Sequence, residues 1–504
     1  MYVPLSVFLF GFDHKGLDER PIYLALKYAP QGGANALHRV CTKSNHSIYQ
    51  YKQHLMRAFK IAEAQRAYGF DMQRALAHIL LIAVHSGNRP LIHPSLFINW
   101  SKFMQRRQLL KLSALGALPA SFGLSQSVWA QNAGAIQFGC PVPMSGAFAA
   151  NGKFADLGMK LAIEQYGSVL KRPLAYTVLD TEGKPATAVR KVQESAQQQG
   201  TRFFAGGILS SEALAMGKEV EKAGGIFITT AGADEITGQD CNAATFRWSV
   251  PTFGAIEQTV RPLIDLLPKA KRWYTITPQY VFGDGLLSAA KNIFKEKGIE
   301  HVGNSYHSLA EKEFSGYITN AIAAKPDVLL LLNFGGQCAD TLRQAVSFGL
   351  NKNMTILVAW ASGLEQFESL GADLCEGIYF GAQYWHTVDS PLNRDLVKRA
   401  NDKFKANPNY SLAGSYICTK LLIDGIIKAG SVEPKAVVAA LEGMKYQGLT
   451  GEEEVRKEDH QVMKDYYLLK AKPKSKMKNK DDFVDVLNAG KSFLPIDKTG
   501  CKRA

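Results

Sequence analysis

Short apolar runs alternate with segments of helical periodicity from Ala135 almost to the C-terminus, and no other feature restricts the accessible folds so sharply. Ala135–Val142 reads as strand. Ala147–Tyr166 reads as a helix with Phe154, Leu157, Leu161 and Ala162 on one face. Leu174–Leu179, Arg202–Ile208 and Gly225–Thr230 continue the strand set, separated by helices Ala186–Gln199, opened by Pro185, and Ser211–Lys222. The pattern resumes after Pro251. Helices Ala255–Leu267, Gly285–Lys297, Phe314–Ala324 and Ala339–Phe348 interleave with strands Arg272–Thr277, Val302–Ser305, Val328–Leu332, Thr355–Val358 and Gly377–Gly381. Helices Asn393–Asn407, Tyr416–Gly430 and Pro434–Met444 follow, then strand Tyr466–Leu469. Five consecutive apolar residues in Val328–Leu332 suit a parallel strand covered on both faces. Repeated βα units predict an α/β chain of open parallel sheets with helices on both faces, and there are too many units for one sheet. In such sheets a ligand sits beyond the carboxyl ends of the strands.

The segment from Met104 to Ala133 carries a different signal. Arg106-Arg107 and Lys111 precede an apolar run from Leu112 to Leu124, and Val128-Trp129-Ala130 offers a small-x-Ala cleavage site. Gly116 and Pro119 interrupt a run already too short to span a membrane. We read residues 104–130 as an export signal cleaved near Ala130, which places the body in the periplasm. The paired arginines fit twin-arginine export; Gln105 and Leu109 depart from that pattern, so general secretion fits as well. Residues 1–103 then read as a doubtful upstream extension of the start, in which Asn45–Arg74 has helical character. A genuine upstream domain is the alternative. The net charge of +14 belongs largely to this leader: residues 1–130 hold 15 Lys and Arg against 5 Asp and Glu, leaving 44 against 40 in the body. The body also lacks a stripe of basic and aromatic residues, so no nucleic-acid partner is expected. The Lys-rich stretch Lys472–Lys480 reads as a solvated surface segment.

The order of segments resembles the leucine/isoleucine/valine-binding type of periplasmic binding protein. Pro143-Met144-Ser145-Gly146 follows the first strand, with Gly152 in the first helix, and Gly206-Gly207-Ile208-Leu209-Ser210-Ser211 follows the third. Ile228-Thr229-Thr230-Ala231-Gly232-Ala233 resembles the family's second ligand loop, and Gln279-Tyr280-Val281-Phe282-Gly283 a turn in its second lobe. Asp327 through Gln344 matches a further strand–loop–helix unit. Each motif alone is weak; their joint order is specific. The resemblance implies a type I fold, two doubly wound lobes joined by a hinge of three crossovers. Lobe I would hold 135–250 plus 386–447, lobe II 251–385 plus 448–472, and 473–504 would be a C-terminal tail. It also implies the substrate-binding protein of an ABC transporter, a monomer that hands a small-molecule ligand to a permease and its ATPase subunits.

By that resemblance Ser210 and Ser211 grip the ligand's carboxylate, helped by the helix N-terminus, and Ala231 and Ala233 contribute backbone groups. A plain helix N-cap is the competing reading of the serines. Amino-acid binders of the family neutralise an ammonium with a Glu in the loop after the strand Thr355–Val358. Here Trp360 stands on or beside that position, and the nearest acid is Glu365. Asn151 stands where amino-acid binders place a Tyr. Tyr280, Phe282, Phe334, Trp360, Tyr384, Trp385 and Tyr416 gather aromatic surface toward the expected cleft, with core packing as the alternative for each. The expectation is a flat aromatic or other small carboxylate, with a branched-chain amino acid or an amide as the alternative and a ligand-sensing receptor as the alternative class.

Catalysis is not signalled. Gly-x-Ser-x-Gly and the Gly-x-x-x-x-Gly-Lys phosphate loop are absent, and Gly283-Asp284-Gly285 is no dinucleotide loop. Asp180-Thr181-Glu182 reads as capping and surface charge. No cofactor is expected. Seven of the 11 His precede position 100, and no Cys-x-x-Cys occurs, so no metal is expected either. The body's six cysteines, Cys140, Cys241, Cys338, Cys375, Cys418 and Cys501, permit disulfides whose connectivity the sequence leaves open. Cys140 and Cys418 read as small core residues, and Cys338 and Cys375 as lying at opposite sheet edges.

Overall fold

The computed structural model describes residues 134–503 and, ahead of them, two short strands, β1 (Ser6–Leu9) and β2 (Ile22–Ala25), which pair antiparallel. The helix expected within Asn45–Arg74 and the export signal lie outside the described residues.

The first half of the body is built on β3 (Ile136–Val142), β4 (Ser168–Val169), β5 (Arg172–Asp180), β6 (Phe203–Gly206), β7 (Ile226–Thr229) and β8 (Thr245–Arg247). They lie in the order β4-β5-β3-β6-β7-β8, parallel except for β4. Helices α1 (Ala149–Tyr166), α2 (Pro185–Gln198) and α3 (Ser210–Lys222) connect them. The second half uses β9 (Arg272–Pro278), β10 (Glu300–His307), β11 (Val328–Leu331), β12 (Thr355–Val358) and β13 (Tyr379–Ala382), with connecting helices α4 (Val281–Lys297), α5 (Ser315–Ala324), α6 (Gly335–Ser347) and α7 (Leu364–Leu370). The chain then returns to the first half with α8 (Pro391–Phe404) and α9 (Tyr410–Ala429). Apolar on nearly every side, α9 packs along α1 within the first half's core. A small antiparallel sheet, β14 (Lys445–Gly448), β15 (Gly451–Val455) and β16 (Val462–Met463), precedes β17 (Tyr466–Ala471) and β18 (Val484–Gly490). The second sheet runs β10-β9-β11-β12-β13-β17-β18, its last two strands antiparallel. The α/β class with two predominantly parallel sheets matches the expectation.

Three crossings link the halves, and their side chains bind one another. Gln383 brackets Val250, accepting its N–H at 2.9 Å and donating to its carbonyl at 2.8 Å. Lys464, fully buried, donates to the Gln383 carbonyl at 2.7 Å and lies 4.4 Å from the Trp248 ring. Each crossing thus touches another, which ties the joint together without a sheet.

Several expectations need correction. The helix expected over 255–267 is two, Thr252–Glu257 and Val260–Leu266, because Pro262 has no N–H to continue the hydrogen-bond ladder. The resemblance puts 448–472 in the second lobe, but Gln461 bridges Arg247 of the first sheet, and within that stretch only β17 joins the second sheet. Residues 473–504 are more than a tail: β18 extends the second sheet, and Cys501 is bonded to Cys241 of the first half. Lys474, Lys476, Lys478 and Lys480 remain at the surface. Cys140 and Cys418 are buried and free. Cys338 and Cys375, also free, share one core in the second half instead of occupying opposite edges. Among the described residues no helix is long and apolar enough to cross a membrane.

Candidate functional site

The loops at the carboxyl ends of β6, β7, β9, β11 and β12 meet in one cleft between the halves. Ile208, Thr230 and Gly232 come from the first sheet's loops. Tyr280 and Phe282 open α4, Phe334 precedes α6, and Trp360 follows β12. Tyr410, the first residue of α9, completes the lining. These residues line a narrow space that opens to solvent. Trp360, 2% exposed, stands at the hub. Phe282 meets its ring edge-on at 5.0 Å, Tyr466 at 5.8 Å and Tyr410 at 6.3 Å.

The halves approach closely here. Phe148 of the first stacks on Phe334 of the second, rings 10° from parallel and 6.4 Å apart. Gly335 adopts a positive φ of +63°, and a Cβ there would sit 3.1 Å from Asn151 Oδ1 and 3.3 Å from the Phe148 ring. Gly232 is tighter still: a Cβ would fall 2.5 Å from the Trp360 ring and 2.9 Å from that of Phe282. Glycine at both positions lets backbone from one half meet side chains of the other.

Backbone polar groups around the cleft are largely spoken for. The Ser210 hydroxyl accepts from the Ala233 N–H at 3.1 Å, so two expected contacts satisfy one another. Ala231 donates its N–H to Thr229 Oγ1 and accepts from the Ser249 hydroxyl. Beneath them lies the Arg247 guanidinium, 2% exposed, donating to the carbonyls of Gly232 and Ala233, to Thr237 and to Gln461. Burial lowers its pKa to about 10 against the pull of Asp234 and Asp459. Tyr410 donates its hydroxyl to the Thr230 carbonyl, fixing the phenol against the loop that follows β7.

Of the residues predicted from sequence, Tyr280, Phe282, Phe334 and Trp360 come together around one space, with Asn151, Ala231 and Ala233 beside it. Asn151 donates to Ser411 Oγ at 3.2 Å. Ser211 is half-buried at the start of α3. Tyr384 is not among the lining residues; its hydroxyl donates to Asn393 at 2.6 Å. Trp385 lies in the second half's core, and Tyr416 donates to Gln165 at 2.7 Å. Sequence reasoning missed Tyr410. The Asn409 cap that opens its helix, accepting from Leu412 N–H, was the available signal.

Two acids near the cleft are poorly compensated. The carboxylate oxygens of Glu212 and of Glu365 are shielded from solvent, and the groups beside them, Thr181 and the Leu209 backbone for Glu212 and Ser362 and Asn409 for Glu365, do not offset that burial. Burial raises the Glu212 carboxyl to about 7 and that of Glu365 to about 8.

A family model described as periplasmic binding protein matches residues 135–478. The amino acid ABC transporter substrate-binding protein of Pseudomonas fluorescens Pf-5 superposes with a TM-score of 0.70 at 59% identity, over 73% of this chain and 100% of that one. Leu/Ile/Val-binding protein homolog 3 of Brucella melitensis is 24% identical over 66% of this chain and 88% of its own length. A solute-binding protein of Rhodopseudomonas palustris BisB5, solved in complex with 3,4-dihydroxybenzoic acid, superposes with a TM-score of 0.66 at 22% identity, covering 72% of this chain and 99% of its own.

Proposed function

Because the chain belongs to the periplasmic binding protein family, we propose that it captures a small, ring-bearing organic solute in the interlobe cleft and delivers it to an ABC permease. The family binds small-molecule ligands and works with ABC transporter permeases, and its members are substrate-binding proteins, not enzymes. The observation that carries the finer reading is the lining itself. Tyr280, Phe282, Phe334, Trp360 and Tyr410 set five aromatic rings around one space, where a flat ligand gains apolar burial and offset or edge-on ring contacts. The two lobes would supply different walls, so the full lining would assemble only on closure, and the ligand would stabilise the closed state by its contacts with both. Export through the signal at residues 104–130 would bring the body to the periplasm, where the Cys241–Cys501 disulfide can form.

The aromatic-acid ligand of the Rhodopseudomonas protein supports a ring-bearing solute. The names of the Pseudomonas and Brucella relatives favour an amino acid instead. Melting curves of the full chain and of Trp360→Ala against benzoate, phenylalanine and leucine separate the two. A ligand at a hundred times its Kd adds about 2.7 kcal/mol to stability. Stabilisation by ring-bearing compounds that Trp360→Ala abolishes is the expected outcome. Stabilisation by leucine alone would assign the cleft to aliphatic amino acids.

A further inference from the structure

Beyond the three crossings of the joint, the chain passes between the halves once more. Its second sheet ends with β18, yet Cys501 is bonded to Cys241 of the first half. Residues 491–500 span the gap and are held at both ends. On the second half, Gln258 donates through Nε2 to the Ser492 hydroxyl at 2.6 Å, and its Oε1 accepts from Asn488 of β18 at 2.9 Å. Gly254, in the short helix that packs on α4, lies so near that a Cβ there would fall 2.1 Å from the Ser492 carbonyl oxygen. On the first half, a Cβ at Gly238 would fall 2.8 Å from the Thr499 carbonyl oxygen. Arg503 donates to Glu442 at 2.6 Å, the carboxylate that also meets His460. Between these ends, Phe493, Leu494 and Thr499 line one small space with Arg247, Pro251 and Gln461. Pro251 belongs to the first crossing and Gln461 leads into the third, so the segment lies along the joint itself. Arg247 is the guanidinium that holds the Gly232 and Ala233 carbonyls at the cleft.

A segment anchored to both halves must lengthen or give up contacts when they swing apart. Ile496–Thr499 forms a single helical turn of 4 residues. Straightening it from about 1.5 Å to about 3.3 Å of rise per residue releases roughly 7 Å, enough for a limited swing and not for a large one. Hydrogen bonds alone would let go at that point; the disulfide does not. We propose that residues 491–503 are a strap, fastened by Cys241–Cys501, that limits how far the halves open and so favours closure on the ligand. The proposal rests on the cleft between the halves being the ligand site. Affinity in a closing receptor scales with the fraction of ligand-free chain already competent to bind, so a restraint at the joint acts on binding without touching the ligand.

Cys140, Cys338, Cys375 and Cys418 are free, so among the described residues a dithiol reductant acts on this bond alone. The test is small-angle X-ray scattering of the ligand-free full chain, oxidised, reduced and as Cys501→Ser. Isothermal titration of the three forms with phenylalanine, benzoate and leucine follows. The expected result is a larger radius of gyration in the reduced chain and in Cys501→Ser, with affinity for whichever compound binds weakened by about threefold or more. Melting curves verify that both forms stay folded. A lower melting temperature is not itself support, because any cross-link that restrains the unfolded chain stabilises the folded one. An unchanged radius of gyration or an unchanged affinity in both forms would overturn the proposal. The scattering comparison needs no ligand, so its failure is separate from that of the ring-bearing reading, which binding of leucine alone would bring about.

Discussion

Gly232 is where a single atom decides whether the lobes can close. A methyl group there would overlap the Trp360 and Phe282 rings at 2.5 and 2.9 Å, and both rings are buried. Gly232→Ala should leave the separate halves folded but cut ligand affinity by about tenfold or more, through the clash it adds to the closed form. Titration against the unaltered chain measures this; equal affinities would mean that the lobes do not approach as described. Glu212 and Glu365 give the residue scale a pH dependence. Both carboxyls are ordinarily near 4.5, and burial raises them to about 7 and about 8. Below 4.5 both are protonated in folded and unfolded chain alike, so they add no pH dependence. As pH rises the unfolded chain ionises first, while the folded chain keeps its protons, and stability falls through the window up to about 8. The melting temperature of the ligand-free chain should drop from pH 5 to pH 8, and a Glu212→Gln/Glu365→Gln variant should flatten that drop. An unchanged slope in the variant would contradict the assignment.

At the level of elements, the C-terminal segment has the largest consequence that the sequence did not disclose. It leaves β18 in the second half, contacts Gln258 through Ser492 and Arg456 through the Leu494 carbonyl, and ends covalently joined to Cys241 of the first half. Closing a loop of 260 residues restrains the unfolded chain strongly, so Cys501→Ser should cost about 2–4 kcal/mol. Melting curves with and without a dithiol reductant test this, and a variant as stable as the oxidised chain would refute it. Elements made of apolar runs were legible: β6, β7 and β11 are fully buried stretches with one obvious conformation. The hairpin strands β14 and β15 were not, because Lys445, Gln447, Glu452 and Glu454 give no alternating apolar pattern and their pairing depends on a turn at Gly448–Gly451. The same holds for β18, whose Val-Asp-Val-Leu-Asn-Ala-Gly becomes a strand only through pairing with β17.

Across the whole molecule, the aromatic residues of the cleft were legible because they follow strands whose carboxyl ends must face one another in this topology. Tyr384, just past the strand at Gly377–Gly381, and Tyr416, at the expected start of a helix, were drawn into the same expectation by their places in that pattern. Their hydroxyls instead find Asn393 and Gln165, partners that only the packing of α8, α9 and α1 brings near. Glu212 was overlooked for the complementary reason: an acid in the first turn of a helix is ordinary, and its burial shows only in the folded chain. The joint between the halves is compact, three crossings bound through Gln383 and Lys464. The central claim is that this joint closes two lobes around a ring-bearing solute. Side-by-side titration calorimetry of the full chain with phenylalanine, benzylamine, benzoate and leucine tests it most directly. The account predicts saturable binding of at least one ring-bearing compound and none of leucine; leucine binding with no response to any aromatic ligand would contradict it.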